Sequence, residues 1–183
     1  DGFGILQIDA HADLREAYEG FEQSHASIMF NVLKSCKHLT KLVQVGIRDI
    51  AQSEVDLITK HSHRITTFFD WDLKDASYRG ATWAQQVENI IAELPHRVYI
   101  SFDIDGLKPE LCPHTGTPVA GGFELQEVAY LLFEVVKSGR QIIGFDLNEV
   151  APGETGDWDA NVGARALWHL VCATEYSRRK HSC

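Results

Sequence analysis

Short apolar segments alternate with longer amphipathic ones along the chain, and this alternation predicts the secondary structure. Strands are predicted at residues 4–8, 41–45, 64–69, 98–102 and 141–147. Helices are predicted at residues 24–36, 52–61, 81–94, 124–137 and 160–177. Ser53 is the expected cap of the helix at 52–61. The polar and aromatic segment 70–80 has no clear period and is predicted to be a loop.

Strands that alternate with helices of this length are typical of βαβ units. We therefore expect a three-layer α/β/α fold with a mostly parallel sheet covered by helices on both faces. The sequence contains no repeat, no low-complexity tract and no linker, so a single domain over residues 1–183 is the simplest organisation. Because the chain opens at Asp1 and runs directly into a strand-like segment, we expect an N-terminally truncated domain.

Composition narrows the function classes. Hydrophobic residues make up 44% of the 183 residues and charged residues 23%, which is typical of a globular protein. The net charge of −9 disfavours a nucleic-acid partner and would attract a small cation. The sequence contains no run of 18 apolar residues, so it predicts no membrane-spanning helix. The four cysteines form no Cys-x-x-Cys pair, so we expect reduced thiols in a cytoplasmic protein.

Acidic residues follow three of the predicted strands. Ligands of parallel sheets bind beyond the carboxyl ends of the strands, and those ends share one edge. Several carboxylates and one imidazole are therefore expected to converge there. These residues are Asp9, His11, Asp13, Asp103, Asp105, Asp146 and Glu149.

Such a cluster needs a cation, because like charges a few ångström apart cannot all stay ionised without one. Carboxylates with an imidazole suit Mn²⁺, with Fe, Co or Zn as alternatives. Enough carboxylates are present to bridge two ions, which lie roughly 3.5–4 Å apart in binuclear hydrolases. The competing interpretation for any one strand-end acid is a helix cap or turn former, and for Asp146 we favour that interpretation.

At these residues the sequence resembles the ureohydrolase (arginase/agmatinase) family. The motif Asp-Ala-His-Ala-Asp at 9–13 resembles the second family signature. Ser-Phe-Asp-Ile-Asp-Gly-Leu at 101–107, followed by Thr-Gly-Thr-Pro at 115–118, resembles the third. Gly-Phe-Asp-Leu-Asn-Glu-Val at 144–150 is similar to the segment with the substrate-binding glutamate. The resemblance covers nearly the whole chain and implies an arginase-like fold.

The resemblance also implies a metal-ligand set for two Mn²⁺ ions. Asp9 and Asp103 would bridge the two ions. Asp13 would bind one ion, while His11 and Asp105 would bind the other. A family motif, Gly-Gly-Asp-His, would supply one more histidine, but this sequence does not contain it.

Three further residues receive roles from the resemblance. Glu149 would pair with the guanidinium of the substrate, with Thr117 nearby. His25 would shuttle a proton to the leaving amine, although its spacing alone is more typical of a surface or helix N-terminal histidine. A metal-activated water would then attack the guanidinium carbon, releasing urea and an amine.

The pocket departs from the family pattern in several places. Lys108 stands where most relatives have Asp, His114 replaces a small residue, and Ala151 replaces Asn. Arg15 stands where arginases hold the amino-acid end of arginine with Asn. Arg15 could receive a substrate carboxylate, or it could be a surface residue paired with a neighbouring glutamate.

Three functions remain open from the sequence. The first is agmatine hydrolysis to putrescine and urea, because the residues around Arg15 look more like those of microbial agmatinases. The second is hydrolysis of another guanidino compound, guanidinobutyrate or arginine. The third is a non-catalytic, truncated family member that serves as a binding or assembly subunit. The resemblance further implies a homo-oligomer, a trimer or hexamer.

Overall fold

A computed structural model describes residues 2–153 and 156–181. In this part of the chain, five parallel strands form one sheet in the order β3-β2-β1-β4-β5. The strands are β1 (Phe3–Ile8), β2 (Leu39–Ile47), β3 (Ile65–Phe69), β4 (Arg97–Asp103) and β5 (Gln141–Asn148). The predicted parallel sheet is therefore confirmed.

Six α-helices and two 3-10 turns connect and follow the strands in the described residues. The helices are α1 (Ile28–Ser35), α2 (Gln52–Lys60), α3 (Asp70–Tyr78), α4 (Trp83–Ala92), α5 (Leu125–Lys137) and α6 (Trp158–Lys180). The 3-10 turns are His25–Ser27 and Ile104–Gly106. Each of these helices is too short or too polar to cross a lipid bilayer.

The prediction of a loop at 70–80 is wrong, because α3 occupies most of that segment. Asp70 and Asp72 lie in its first turn, where negative charge is favourable near the helix N-terminus. Among its apolar side chains, Leu73 is the one that is buried. A helix with so few core contacts leaves no amphipathic period in the sequence, which explains why the pattern did not predict it.

The start of α2 also differs from the sequence expectation. The N-cap position is Ala51 rather than Ser53. The backbone N–H of Ala51 donates to Oε2 of Glu54 at 2.9 Å, so the glutamate replaces the missing side-chain cap. Glu54 is buried and accepts a second hydrogen bond from the backbone N–H of Leu14. It therefore ties α2 to the segment that follows β1.

Two apolar cores lie on opposite faces of the sheet. The larger core contains Leu6, Val43 and Ile100 of the strands and the inner faces of α4, α5 and α6. The smaller core contains Ile5 and Leu42, together with side chains of α1 and α2. Helices therefore cover both faces, as the alternating pattern predicted, and the arrangement has three layers.

We expect Phe102→Ala to destabilise the fold strongly. Phe102 on β4 is 0% exposed within the larger core. Removing a buried phenyl group leaves a cavity and costs about 3–5 kcal/mol. Urea denaturation followed by circular dichroism would measure the loss. The matched control is Phe21→Ala, because Phe21 is 67% exposed and should lose less than about 0.5 kcal/mol. Equal losses in both variants would contradict the assigned core.

Candidate metal centre

Nine of the residues singled out in the sequence line one cavity at the carboxyl ends of β1 and β4. The cavity has a volume of about 140 Å³. The sheet brings together three distant segments there, because parallel neighbours end at the same edge. The nine residues are Asp9, His11, Asp13, Arg15, His25, Asp103, Asp105, Thr117 and Glu149.

Asp9, His11 and Asp105 form the tightest group of possible metal ligands in the described residues. One ligand atom from each lies within 4.8 Å of the other two. Nδ1 of His11 is 2.9 Å from Oδ2 of Asp105 and 3.6 Å from Oδ1 of Asp9. The Asp9 and Asp105 residues are 4% and 1% exposed, so water screens their charges poorly. Nδ1 of His11 and one oxygen of each carboxylate are therefore close enough to bind one cation together.

Burial and mutual repulsion raise the pKa values of three carboxyl groups. Burial, with the charge of Asp105 adding to it, raises the pKa of Asp9 to about 6. Burial and the charge of Asp9 raise the pKa of Asp13 and of Asp103 to about 9 in each case. Burial is the larger cause of these shifts and the neighbouring carboxylates add to it, so the ionised forms of these groups are disfavoured in the absence of a cation.

Hydrogen bonding keeps Asp105 ionised despite its burial. Burial opposes its charge, but bonds from His11 and from the Ala10 backbone N–H hold the pKa of Asp105 below its ordinary value. The hydrogen bond to Asp105, followed by the one to Asp9, raises the pKa of His11 to about 10. The imidazole thus lies between two carboxylates that favour its protonated form, and a bound divalent ion would take the place of that proton.

The backbone fixes Asp13 at the N-terminus of α1. The carbonyl oxygen of Asp13 accepts hydrogen bonds from the backbone N–H groups of Met29 and Phe30, at 3.0 and 3.2 Å. Asp13 has a φ of 54°, in the left-handed region that few non-glycine residues adopt. Such strained conformations cluster at functional sites, where the surrounding structure holds them.

The turn after β4 packs directly against the end of β1. The side chain of Asp103 accepts the backbone N–H of Asp105 at 3.0 Å, which caps the 3-10 turn Ile104–Gly106. A Cβ added to Gly106 would lie 3.0 Å from the backbone nitrogen of Asp9. A larger residue at 106 would crowd the backbone of Asp9, so glycine favours the close approach that places Asp105 beside Asp9.

Glu149 enters the cavity from the end of β5. Its φ is 61°, so it also has a left-handed backbone. Its carbonyl oxygen accepts a hydrogen bond from Oγ1 of Thr115 at 3.0 Å, and the ideal Cβ position of Gly116 is 3.3 Å from its Oε2. Oγ1 of Thr117 lies 3.5 Å from Oδ2 of Asp105. The Thr-Gly-Thr segment thus lies between Glu149 and the carboxylate cluster.

His25 and Arg15 occupy the outer part of the cavity around Tyr18. The rings of His25 and Tyr18 meet edge to face with centroids 5.3 Å apart. The guanidinium of Arg15 lies 5.1 Å from the centre of the Tyr18 ring, and its Nε is 3.8 Å from Oε2 of Glu54. Arg15 therefore faces the cavity and pairs with Glu54, rather than with the glutamates next to it in sequence.

Besides Ala26, the site residues predicted from the sequence left out three polar or aromatic residues that line the same cavity, namely Tyr18, Asp49 and Glu54. Asp49 could have been found, because it follows β2 by two residues and so satisfies the strand-end rule. Its Oδ2 is 3.9 Å from Nε2 of His11. The sequence offers no comparable signal for Tyr18 or Glu54, since their placement depends on how the loop after β1 packs on α2.

The expectation that Asp146 caps a helix or forms a turn is wrong. Asp146 lies within β5. Its Oδ1 accepts hydrogen bonds from Oγ of Ser101 at 3.0 Å and from Nδ2 of Asn148 at 2.6 Å. This oxygen of the carboxylate is therefore already bound to two side chains of the sheet.

The donor set fits a divalent cation. Each oxygen of Asp9 accepts one N–H, from Gln7 or from the His11 backbone, and retains a lone pair for a metal. Carboxylate and imidazole donors suit Mn²⁺ and related ions. Burial and the neighbouring carboxylates raise the pKa values of Asp13 and Asp103, and a bound cation would favour the ionised form of both groups.

Comparison with known proteins identifies related sequences. A sequence profile described as the arginase family matches residues 1–173. The chain is 33% identical over 170 residues to an N(1)-aminopropylagmatine ureohydrolase of Thermus thermophilus, covering 92% of this chain and 53% of that protein. It is 34% identical over 151 residues to an agmatinase of Halalkalibacterium halodurans, covering 81% and 47% respectively. The chain thus spans about half the length of these curated relatives.

Comparison with solved structures identifies proteins with a similar fold. The crystal structure of an agmatine ureohydrolase of Thermoplasma volcanium matches with a TM-score of 0.78 at 24% identity. The match covers 98% of this chain and 57% of that structure. It confirms the predicted arginase-like fold. Because the family profile covers all but the last ten of the 183 residues, the chain belongs to the arginase family.

Proposed function

We propose that this chain forms the catalytic unit of a two-metal hydrolase that cleaves a guanidinium group to urea and an amine. The preferred substrate is agmatine, with putrescine as the second product. The observation that carries the proposal is the convergence of four aspartates, a histidine and a glutamate from three distant segments on one cavity. Residues 1–183 are proposed to act as a single unit.

The proposed ligands of the two Mn²⁺ ions are the five residues at the ends of β1 and β4. They are Asp9, His11, Asp13, Asp103 and Asp105. Bound divalent ions would supply Lewis acidity and lower the pKa of a water molecule, which makes it a nucleophile at neutral pH. The three carboxyl groups with raised pKa values support this assignment, because a bound cation would restore their charge.

The other cavity residues are assigned to the substrate. Glu149 orients the planar guanidinium by charge-assisted hydrogen bonds, which a carboxylate can make in pairs. Thr117, beside Asp105, offers a polar contact. His25 gives a proton to the leaving amine, a general-acid role that positioned imidazole side chains often fill in enzymes. Its ring is held against Tyr18, which fixes its orientation.

Agmatine is proposed because it combines a guanidinium with a second cation. The chain carries a net charge of −9, and Asp49 adds a carboxylate at the cavity wall. Two of the relatives are named as an agmatinase and an aminopropylagmatine ureohydrolase, whose substrates by name share the agmatine unit. These features support a dicationic substrate.

A second candidate is a guanidino acid such as guanidinobutyrate, or arginine itself. The feature that favours it is Arg15, which faces the cavity and could bind a carboxylate.

Assembly and location follow as parts of the same proposal. The resemblance supports a homo-oligomer, a trimer or hexamer. The described cysteines Cys36, Cys112 and Cys172 are free thiols, which supports a reducing, cytoplasmic environment. Cys183 lies outside the described residues.

We expect the chain, extended by any upstream sequence its gene encodes, to release urea from agmatine when Mn²⁺ is present. Agmatine, arginine and guanidinobutyrate would be assayed in parallel, with and without a chelator. Agmatine should give the highest kcat/KM, and the chelator should remove the activity because the ions supply the nucleophile. Absence of urea from all three compounds would exclude the proposed function.

Asp103→Asn should abolish metal binding and activity together. The amide cannot supply the negative charge of a bridging carboxylate, so we expect Mn²⁺ affinity to fall by at least about 100-fold. Isothermal titration with Mn²⁺ and a urea assay would measure both effects. Asp72→Asn is the matched control, because it removes the same charge from an exposed position on α3. Retained activity in Asp103→Asn would refute the ligand assignment.

Arg15→Met should separate the two substrate classes. A positive charge in the cavity repels the second cation of agmatine and attracts a carboxylate, so its loss should have opposite effects on the two. We expect kcat/KM to rise about threefold for agmatine and to fall about tenfold for guanidinobutyrate, from changes near 1 kcal/mol. Arg79→Met removes an exposed charge on the far end of α3 and should change neither value. A large loss with agmatine would contradict this role of Arg15.

A further inference from the structure

We propose that Gln7 and Gln44, with Thr67 behind them, are positioning residues that hold the segment 9–13 in the geometry for metal binding. The inference rests on the proposed metal site. None of the three side chains is a candidate metal ligand. They lie in the interior of the sheet, beneath the cavity.

The three residues form a row across neighbouring strands. Gln7 on β1 is the register partner of Gln44 on β2, and Gln44 is the partner of Thr67 on β3. Partners in register project from the same face of a sheet. Gln7 and Gln44 are 1% and 0% exposed, although their neighbours along each strand are apolar. Two glutamine side chains thus lie side by side in an otherwise apolar interior.

Hydrogen bonds run through this row in one direction. Thr67 Oγ1 donates to Gln44 Oε1 at 2.8 Å, and Gln44 Nε2 donates to Gln7 Oε1 at 2.7 Å. Gln7 Nε2 then donates to Asp9 Oδ2 at 2.8 Å. The last acceptor is the carboxylate of Asp9. An ionised carboxylate has no proton to donate, so the amide of Gln7 must present its NH₂ group to it.

The second N–H of each amide reaches the same segment. Gln7 Nε2 also donates to the carbonyl oxygen of His11 at 3.2 Å, and Gln44 Nε2 donates to that of Ala12 at 2.7 Å. The two glutamines therefore donate three hydrogen bonds to the chain between Asp9 and Asp13. Every amide N–H has an acceptor, and each amide oxygen has a donor. Reversing either amide would leave buried groups unpaired, which costs about 1–3 kcal/mol for each group.

The same row continues on the other side of β1. Ser101 on β4 is the partner of Gln7, and Asp146 on β5 is the partner of Ser101. Two residues further along, on the same face, lie Asp9 and Asp103. The polar row is thus the layer directly beneath the metal-binding carboxylates, and it is polar on all five strands.

The consequence for Asp9 is a fixed carboxylate plane. One oxygen is held by Gln7 and the other by the His11 backbone N–H at 2.7 Å. Each keeps a lone pair for a metal. Without Gln7, one oxygen loses its donor and the carboxylate can rotate about its side-chain bonds. Hydrogen-bond partners behind metal ligands typically change metal affinity by about 10–100-fold.

The test is Mn²⁺ affinity in Gln7→Met, measured by isothermal titration on the folded full chain. Methionine keeps the length and volume of glutamine but supplies no N–H donor. We expect the dissociation constant to rise about 10–100-fold. Gln86→Met is the matched control, because Gln86 is also a buried glutamine, but it donates to Ser77 on the far side of the sheet. It should bind Mn²⁺ within twofold of the unmodified chain.

The more distant members of the row distinguish positioning from simple packing. Gln44 does not contact Asp9, but it donates a hydrogen bond to the side chain of Gln7. Gln44→Met removes that bond, so we expect it to weaken Mn²⁺ binding by several fold. Thr67→Val should have a smaller effect in the same direction, and Thr67→Ser, which keeps the hydroxyl, should restore normal affinity. Thermal denaturation of each variant would separate loss of fold from loss of metal.

The outcomes separate the two proposals. Mn²⁺ binding in Gln7→Met within twofold of the unmodified chain would overturn the positioning role and leave the hydrolase proposal standing. An unmodified chain that binds no Mn²⁺ would overturn both. Normal Mn²⁺ binding with no urea release would overturn the hydrolase proposal alone.

Discussion

The repulsion among buried carboxylates at one end of the parallel sheet is the constraint on which the rest of the structure depends. Asp9 and Asp105 are almost fully buried, and Asp13 and Asp103 share their cavity. Low exposure strengthens their mutual repulsion, because water cannot screen it. The protonated His11 offsets part of this charge. Burial, with this repulsion added to it, raises the pKa values of Asp9, Asp13 and Asp103, so additional cations would stabilise their ionised forms.

The sheet accommodates that charge by changing character along its strands. One face begins with an apolar row that includes Ile5, Leu42 and Tyr99. The polar row with Gln7 and Gln44 follows, and the carboxylates of the cavity come next. Each step along the row is two residues, the strand period. The polar row therefore separates the ionised groups from the apolar core and supplies N–H donors to them, which lowers the cost of holding charge so close to it.

The parts that the sequence predicted are those that depend on local patterns. Apolar runs located the strands, and the strand-end rule placed Asp9, Asp103 and Glu149 at one cavity, because parallel strands must end at the same edge. The helix α3 was missed because it has one buried apolar side chain. The roles assigned to the cavity residues stay predictions, since position alone does not determine chemistry.

Longer-range features could not be predicted in the same way. The sequence shows glutamines within apolar runs at positions 7 and 44, which is an unusual pattern. Their register across two strands, however, depends on how the sheet assembles. The pairing of Arg15 with Glu54 likewise joins residues 39 positions apart. Interactions of this kind follow from the tertiary fold, so no local pattern encodes them.

Arg48 stabilises the other segment of the site, the turn that follows β4, through hydrogen bonds to backbone carbonyl oxygens. Its guanidinium donates to the carbonyl oxygens of Asp105 at 2.7 Å, Leu107 at 3.2 Å and Val119 at 2.9 Å, and also to that of Gly46. One cation thus joins the end of β2 to the turn that carries Asp105 and to the segment after Thr117. Burial lowers its pKa, but guanidinium remains charged throughout the physiological range. The glutamine row donates hydrogen bonds to the segment at 9–13, and Arg48 donates hydrogen bonds to the turn at 105–107. Both segments that carry the carboxylates are therefore bound to side chains of the sheet or of its ends. These hydrogen bonds therefore fix the placement of the acidic groups relative to the sheet, and a binding site needs its side chains held in this way.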